Sequence, residues 1–148
     1  SVNLAARLES GAKTYGVMTL VTESTKLGCE KHGAECVFRF LDRIVVKGRS
    51  QPVSIYELVG LRQYLKAGYE DLVGEFEAGM AAYLRQDWDA ALKAFRKSAE
   101  LEILPESVPG FLDSARVTPA RVYVERCELL KQNPPGADWD GVWIMRTK

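Results

Sequence analysis

The sequence predicts an α+β half followed by an all-α half, and three observations carry that prediction. Before about Gly60, short runs rich in Val, Ile, Phe, Thr and Tyr alternate with helical stretches. The "KGRSQP" stretch places Gly48, Ser50 and Pro52 between two of those runs, which suits a turn joining neighbouring antiparallel strands. After Leu61 the apolar residues recur at three- and four-residue spacings, the period of a helix. The chain therefore divides into residues 1–60, a helical module over 61–133 and an aromatic tail over 134–148.

In chain order, "SVNLAARLES" reads as a helix, and "GVMTLVTE" (16–23), "CVFRFLDRIVVKG" (36–48) and "QPVSIYELVG" (51–60) read as strands. Tyr69, Leu72, Val73, Phe76, Met80, Tyr83 and Leu84 then form the stripe of one long amphipathic helix. "QDWD" (86–89) breaks it, and Ala91, Leu92, Phe95 and Ala99 open a second. A third begins where Thr118 caps and Pro119 takes the first helical position, and "NPPG" (133–136) ends it. The tail "ADWDGVWIMRTK" carries two tryptophans and is expected to dock on the helices as a strand or extended arm, the alternative being a partner-binding or self-associating arm.

The 20 basic and 20 acidic residues of the 148 cancel, so no global field favours nucleic acid or an anionic membrane surface. Any phosphate binding must be local. No run approaches the roughly 18 to 20 apolar residues that span a bilayer, and no basic-then-apolar export pattern opens the sequence. Cys29, Cys36 and Cys127 do not make a disulfide framework and suit a reducing compartment.

Two residues of the first helix carry chemistry. Asn3 and Arg7 are four apart and so share a helix face, about 6 Å from one another. Leu4 and Leu8 repeat that spacing one residue later and supply the core face. Arginine brings permanent charge and forked donors suited to phosphate, and asparagine both donates to and accepts from sugar or phosphate oxygens. Lys47, at the end of "RIVVKG", is a further candidate cation. By spacing alone, an i, i+4 Asn/Arg pair and a strand-end Lys are more often ordinary solvated residues than a site.

Cys29, His32 and Cys36 invite a zinc reading, but three ligands fall short of the usual four and Gly33 is expected to end the helix before Cys36 joins them. We therefore expect no metal in this chain. His32 is the only histidine and has no serine or acid at triad spacing, and no Gly-rich phosphate loop is present.

The helix pair after Leu61 resembles a tetratricopeptide repeat. Gly79 stands where two helices approach closely, Trp88 at the turn, Ala91 and Phe95 at the small and large positions of the second helix, and "KSAEL" closes it. Ala82 and Ser98 depart from the pattern. A single repeat cannot bury its own apolar face, so the third helix is expected to cap it.

"SVNLAARLES" with "YGVMTLVTEST" and "FRFLDRIVVKGRSQPVSIYELVG" resembles the C-terminal half of the catalytic domain of class III nucleotidyl cyclases, the adenylate and guanylate cyclases. The resemblance implies a partial ferredoxin-like cyclase half-domain over residues 1–60. It implies that Asn3 orients the ribose, Arg7 stabilises phosphate charge in the transition state and Lys47 holds the terminal phosphates of ATP or GTP. It further implies Mg2+ or Mn2+ in the intact parent, held by aspartates upstream of Ser1, and a site shared between the protomers of a homodimer. This piece alone is therefore expected to hold no cofactor, to be inactive and, with its sheet incomplete, to self-associate. The same resemblance implies a cytoplasmic catalytic domain in a parent that some relatives tether to a membrane. The rival expectation is a binding module, in which the helical portion takes a protein partner or regulates the attached cyclase. No nucleic acid partner is expected.

Overall fold

The computed structural model describes residues 2–45, 51–102 and 116–144. Those residues form an α+β chain with five α-helices and a four-stranded mixed sheet. They divide into two units, Ser1–Leu65 with Gly141–Lys148 and Lys66–Asp140, so the chain passes between them twice. None of the described helices is long and apolar enough to cross a membrane.

The first unit opens with α1 (Val2–Tyr15). Gly16 ends it in the left-handed region at φ 71°. There the Gly16 amide donates to Lys13 O at 3.2 Å and the Val17 amide to Ala12 O at 2.9 Å, the Schellman arrangement that satisfies the last carbonyls. The predicted strand over 16–23 shrinks accordingly. Gly16 is spent on the helix end and Thr22 caps the next helix, which leaves only β1 (Leu20–Thr22) between them.

In α2 (Glu23–Lys31) the Thr22 side chain accepts from the Thr25 amide. Gly33 at φ 73° closes it, with the Ala34 amide donating to Cys29 O at 3.1 Å. The chain then runs through β2 (Cys36–Val45) and β3 (Val53–Leu61), which pair antiparallel as the turn residues predict. The remainder of the run predicted over 36–48 lies outside the described residues. Strand order is β1, β3, β2, β4, where β4 (Trp143–Ile144) lies parallel to β2 through Ile44 opposite Trp143 and Val45 opposite Ile144.

That pairing corrects the expectation for the tail. Trp139 does pack in the helical unit, but Trp143 and Ile144 join the sheet, because β2 has an open edge there and an extended segment satisfies its backbone groups.

Two bulges interrupt the β2–β3 ladder. Val37 pairs with Gly60 and Phe38 with Leu58, leaving Val59 extra. Phe40 pairs with Tyr56 and Asp42 with Ile55, leaving Leu41 extra. The second bulge breaks the period-2 alternation, so the consecutive residues Leu41 and Asp42 are both buried. Arg39, Leu41, Asp42, Ile44, Ile55 and Glu57 therefore share the face that Tyr15 of α1 reaches, while Phe38, Phe40 and Tyr56 point to the other.

The second unit is a helical hairpin and a third helix: α3 (Tyr69–Leu84), α4 (Trp88–Leu101) and α5 (Pro119–Gln132). The break between α3 and α4 is shorter than "QDWD" predicts. Gln86 alone takes the left-handed region at φ 62°, and Asp87 already caps α4 by accepting from the Ala90 amide at 3.2 Å, so Trp88 and Asp89 are helical. Thr118 caps α5 by accepting from the Arg121 amide, and Pro119 follows it as predicted. Phe76, Tyr83, Phe95 and Tyr123 meet edge-on or stacked at the centre, and Ser98 Oγ donates to Leu72 O at 3.0 Å between α4 and α3. Trp139 closes the cluster, 5.0 Å from Tyr83 and 5.6 Å from Trp88 between ring centres.

Candidate active site

The sequence places its candidate chemistry on α1 and on the β2–β3 hairpin. Asn3 and Arg7 lie one turn apart in the unbroken helix α1, but their side chains lie outside the described residues. Lys47 also lies outside them, two positions beyond the end of β2 at Val45. What the structure describes is the frame that holds these elements.

The frame is fastened at one point by a buried polar contact. Tyr15, at the C-terminal end of α1, donates its hydroxyl to Asp42 Oδ2 on β2. Tyr15 is fully buried and Asp42 is 1% exposed. The other carboxylate oxygen, Oδ1, accepts from the Arg43 amide at 2.8 Å, which orients the group. The bulge at Leu41 is what turns Asp42 inward to meet the helix. Further along α1, Gly11 is buried against β1, where a Cβ would sit 3.6 Å from Leu20 Cδ1.

Beside it on the same sheet face, Arg39 and Glu57 stand directly opposite across β2 and β3. Arg39 Nε and Nη2 each donate to Glu57 Oε1 at 2.8 Å, and Arg39 is 4% exposed. This charge-assisted contact braces the two strands.

On the opposite face, Lys26 of α2 lies over the Tyr56 ring at 5.2 Å and the Phe38 ring at 5.9 Å, and donates to Glu30 Oε1 at 2.7 Å. That hydrogen bond holds the Lys26 ammonium above its ordinary range. Burial, followed by the Glu23 carboxylate, pushes the Tyr56 phenol up. Both groups keep their protons at neutral pH, and the cluster pins α2 to the sheet.

Cys29 falls within α2 and Cys36 opens β2 on the far side of Gly33. Among the described residues no group of three or more His, Cys, Asp or Glu side chains is placed to hold a metal ion. In the helical unit, a groove of about 850 Å³ between α4 and α5 carries Arg96, Lys131, Asp89 and Glu128. Two ion pairs cross it, Arg96 with Glu128 at 2.9 Å and Lys131 with Asp89 at 2.5 Å, and Lys93, Lys97 and Glu100 also line it.

Sequence reasoning missed Tyr15, Asp42, Arg39 and Glu57. One signal was present: an aspartate inside the apolar run "FRFLDRIVV" is disfavoured in a strand and demands a reason.

No protein-family model matches the chain, and no solved structure matches it. Among curated proteins, the adenylate cyclase of Dictyostelium discoideum described as terminal-differentiation specific aligns at 30% identity over 128 residues, 86% of this chain. The chain is similar to a region of an adenylate cyclase. It spans 6% of that protein's length. The alignment is longer than either structural unit, so the similarity reaches into both the α+β unit and the helical one.

Proposed function

We propose that this chain is the C-terminal part of a class III adenylate or guanylate cyclase catalytic domain, of partial ferredoxin-like form, followed by a tetratricopeptide-like helical module. The observation that carries the reading is the alignment with the Dictyostelium adenylate cyclase across both units. The order of N-x-x-x-R on α1 and "VKG" after β2 supports it.

In this reading the ribose 3′ oxygen of ATP or GTP attacks the α-phosphorus. The new P–O bond closes the cyclic nucleotide while the bond to the β-phosphate breaks and pyrophosphate leaves. Arg7 supplies fixed positive charge where negative charge accumulates in the transition state, Asn3 holds the ribose and Lys47 holds the departing phosphates. When bound in the intact parent, Mg2+ or Mn2+ supplies activation of the nucleophile and neutralisation of the phosphates. The resemblance assigns its ligands to aspartates upstream of Ser1. Residues 1–148 then carry part of a site that only a homodimer of the intact parent completes, and by themselves, even as a dimer, do not cyclise nucleotide.

The test is cyclase activity with ATP and with GTP in manganese, comparing these 148 residues with a longer chain that restores the whole catalytic domain. Activity in the longer chain alone, abolished by Arg7→Ala without unfolding, is the expected result. Silence of the longer chain with both nucleotides removes the proposal.

A second reading concerns the helical unit as a protein-binding or regulatory module. It is favoured by the close approach of α3 and α4 at Gly79, the contact on which repeats of this type are built. A charge reversal on the exposed face of α3, such as Glu77→Arg, is then expected to alter association or regulation and leave intrinsic cyclisation alone.

A further inference from the structure

We propose that β4 is a releasable strap whose seat on the β2 edge depends on the folded helical unit, so that whatever loosens or steadies that unit changes how fully the edge is occupied. The inference goes beyond the cyclase reading and does not need it. Three observations support it. The chain leaves the sheet unit after Leu65 and returns to it at Gly141, so the whole helical unit lies in sequence between β3 and β4. The returning segment is anchored in the helical unit first: Trp139 meets Tyr83 at 5.0 Å and Trp88 at 5.6 Å between ring centres, and Gly136 O accepts from the Trp139 amide and from Gln86 Nε2, each at 3.1 Å. Trp143 then pairs with Ile44 in the sheet, and between the two tryptophans Gly141 is buried at φ 78°, a left-handed turn that any side chain would strain.

The ladder that β4 makes with β2 is two residues long, and Ile144 is 58% exposed. So short a pairing is marginal by itself, and its occupancy is set by how closely the rest of the chain holds it to the edge. With the helical unit folded, the connections outside the two units' elements are residues 62–68 and 140–142. With it unfolded, the connection is the whole of 62–142. Lengthening a loop from about ten residues to about eighty lowers its closing constant roughly twentyfold. Folding of the helical unit and seating of the strap are thereby linked, and the linkage is reciprocal: a seated strap stabilises the helical unit by up to the same factor.

The experiment is amide hydrogen exchange of the 148-residue chain, read at residues 142–144 and, for reference, along the β2–β3 ladder and α3. Phe95→Asp places a carboxylate in the aromatic centre and unfolds the helical unit without touching the tail. A Gly/Ser insertion of about twelve residues between Asp140 and Gly141 leaves every side chain in place and lengthens only the connection. The expected result is exchange at 142–144 that rises roughly twentyfold in Phe95→Asp and about threefold in the insertion variant, with the β2–β3 ladder protected as in the wild type. Trp143→Ser with Ile144→Ser is expected to speed exchange in α3, by up to twentyfold. Exchange at 142–144 unchanged from wild type in Phe95→Asp, with α3 unprotected, overturns the proposal. Where Phe95→Asp unfolds the sheet as well, the insertion variant decides: wild-type exchange of its strap overturns the proposal in the same way.

Discussion

Gly79 of α3 faces the ring of Phe95 of α4 so closely that a Cβ at residue 79 would stand 2.6 Å from Phe95 Cε1. The ring has nowhere to retreat. It stacks on Tyr123 at 4.9 Å and meets Phe76 edge-on at 5.4 Å, inside the aromatic centre of the helical unit. Gly74, five residues earlier in the same helix, has nothing within 4 Å of its Cβ position. The two glycines therefore respond to alanine with opposite signs. Gly74→Ala raises stability by about 1 kcal/mol through helix propensity alone. Gly79→Ala gains the same propensity but overpacks, for a net loss of about 1–2 kcal/mol. Urea unfolding of the two variants checks the pair, and a stabilising Gly79→Ala would contradict the close approach.

The Arg39–Glu57 pair predicts an asymmetric mutational response. Removing one partner, as in Glu57→Ala, leaves a largely buried guanidinium with less compensation and costs about 3 kcal/mol. Replacing both by apolar side chains of similar length, Arg39→Met with Glu57→Leu, restores most of that loss. Equal stability of the single and double variants in chemical denaturation would mean that the pair contributes nothing specific.

Burial pushes the Cys127 thiol up to about 12 from an ordinary value of 9.0. The folded state thus keeps this proton at pH values where the unfolded chain releases it. Stability from this group is complete below about pH 9 and is lost as pH rises from there toward 12. Cys127→Ala is expected to flatten that alkaline slope in pH-dependent unfolding. At pH 8 a thiol reagent should modify the half-buried Cys29 and Cys36 in the native protein and reach the buried Cys127 only on unfolding.

Ser98 is buried in the helical unit, and its hydroxyl bonds to Leu72 O. Ser98→Ala is expected to cost about 0.5–1.5 kcal/mol. The loss is small because the carbonyl it vacates belongs to a helix. A loss of several kcal/mol in thermal unfolding would show that the hydroxyl does more than join α4 to α3.

The sequence by itself determined those parts of the fold whose signals are local. The stripe over Tyr69–Leu84, the Thr118–Pro119 start of α5, the Gly33 stop of α2 and the turn residues joining β2 to β3 are each written in a few adjacent side chains. The Asn3 and Arg7 spacing is legible for the same reason, since a helix alone puts the two on one face. The tertiary structure decided everything that depends on distant pairing. β1 is cut to three residues because Gly16 and Thr22 serve the helices on either side. Trp143 and Ile144 join β2 because that strand offers an open edge, which no feature of the tail announces. Asp42 is buried because a bulge at Leu41 turns it inward and a tyrosine hydroxyl from α1, 27 residues away in the chain, meets it there. A buried carboxylate needs a hydrogen-bond donor, and only the folded chain could say which residue supplies it.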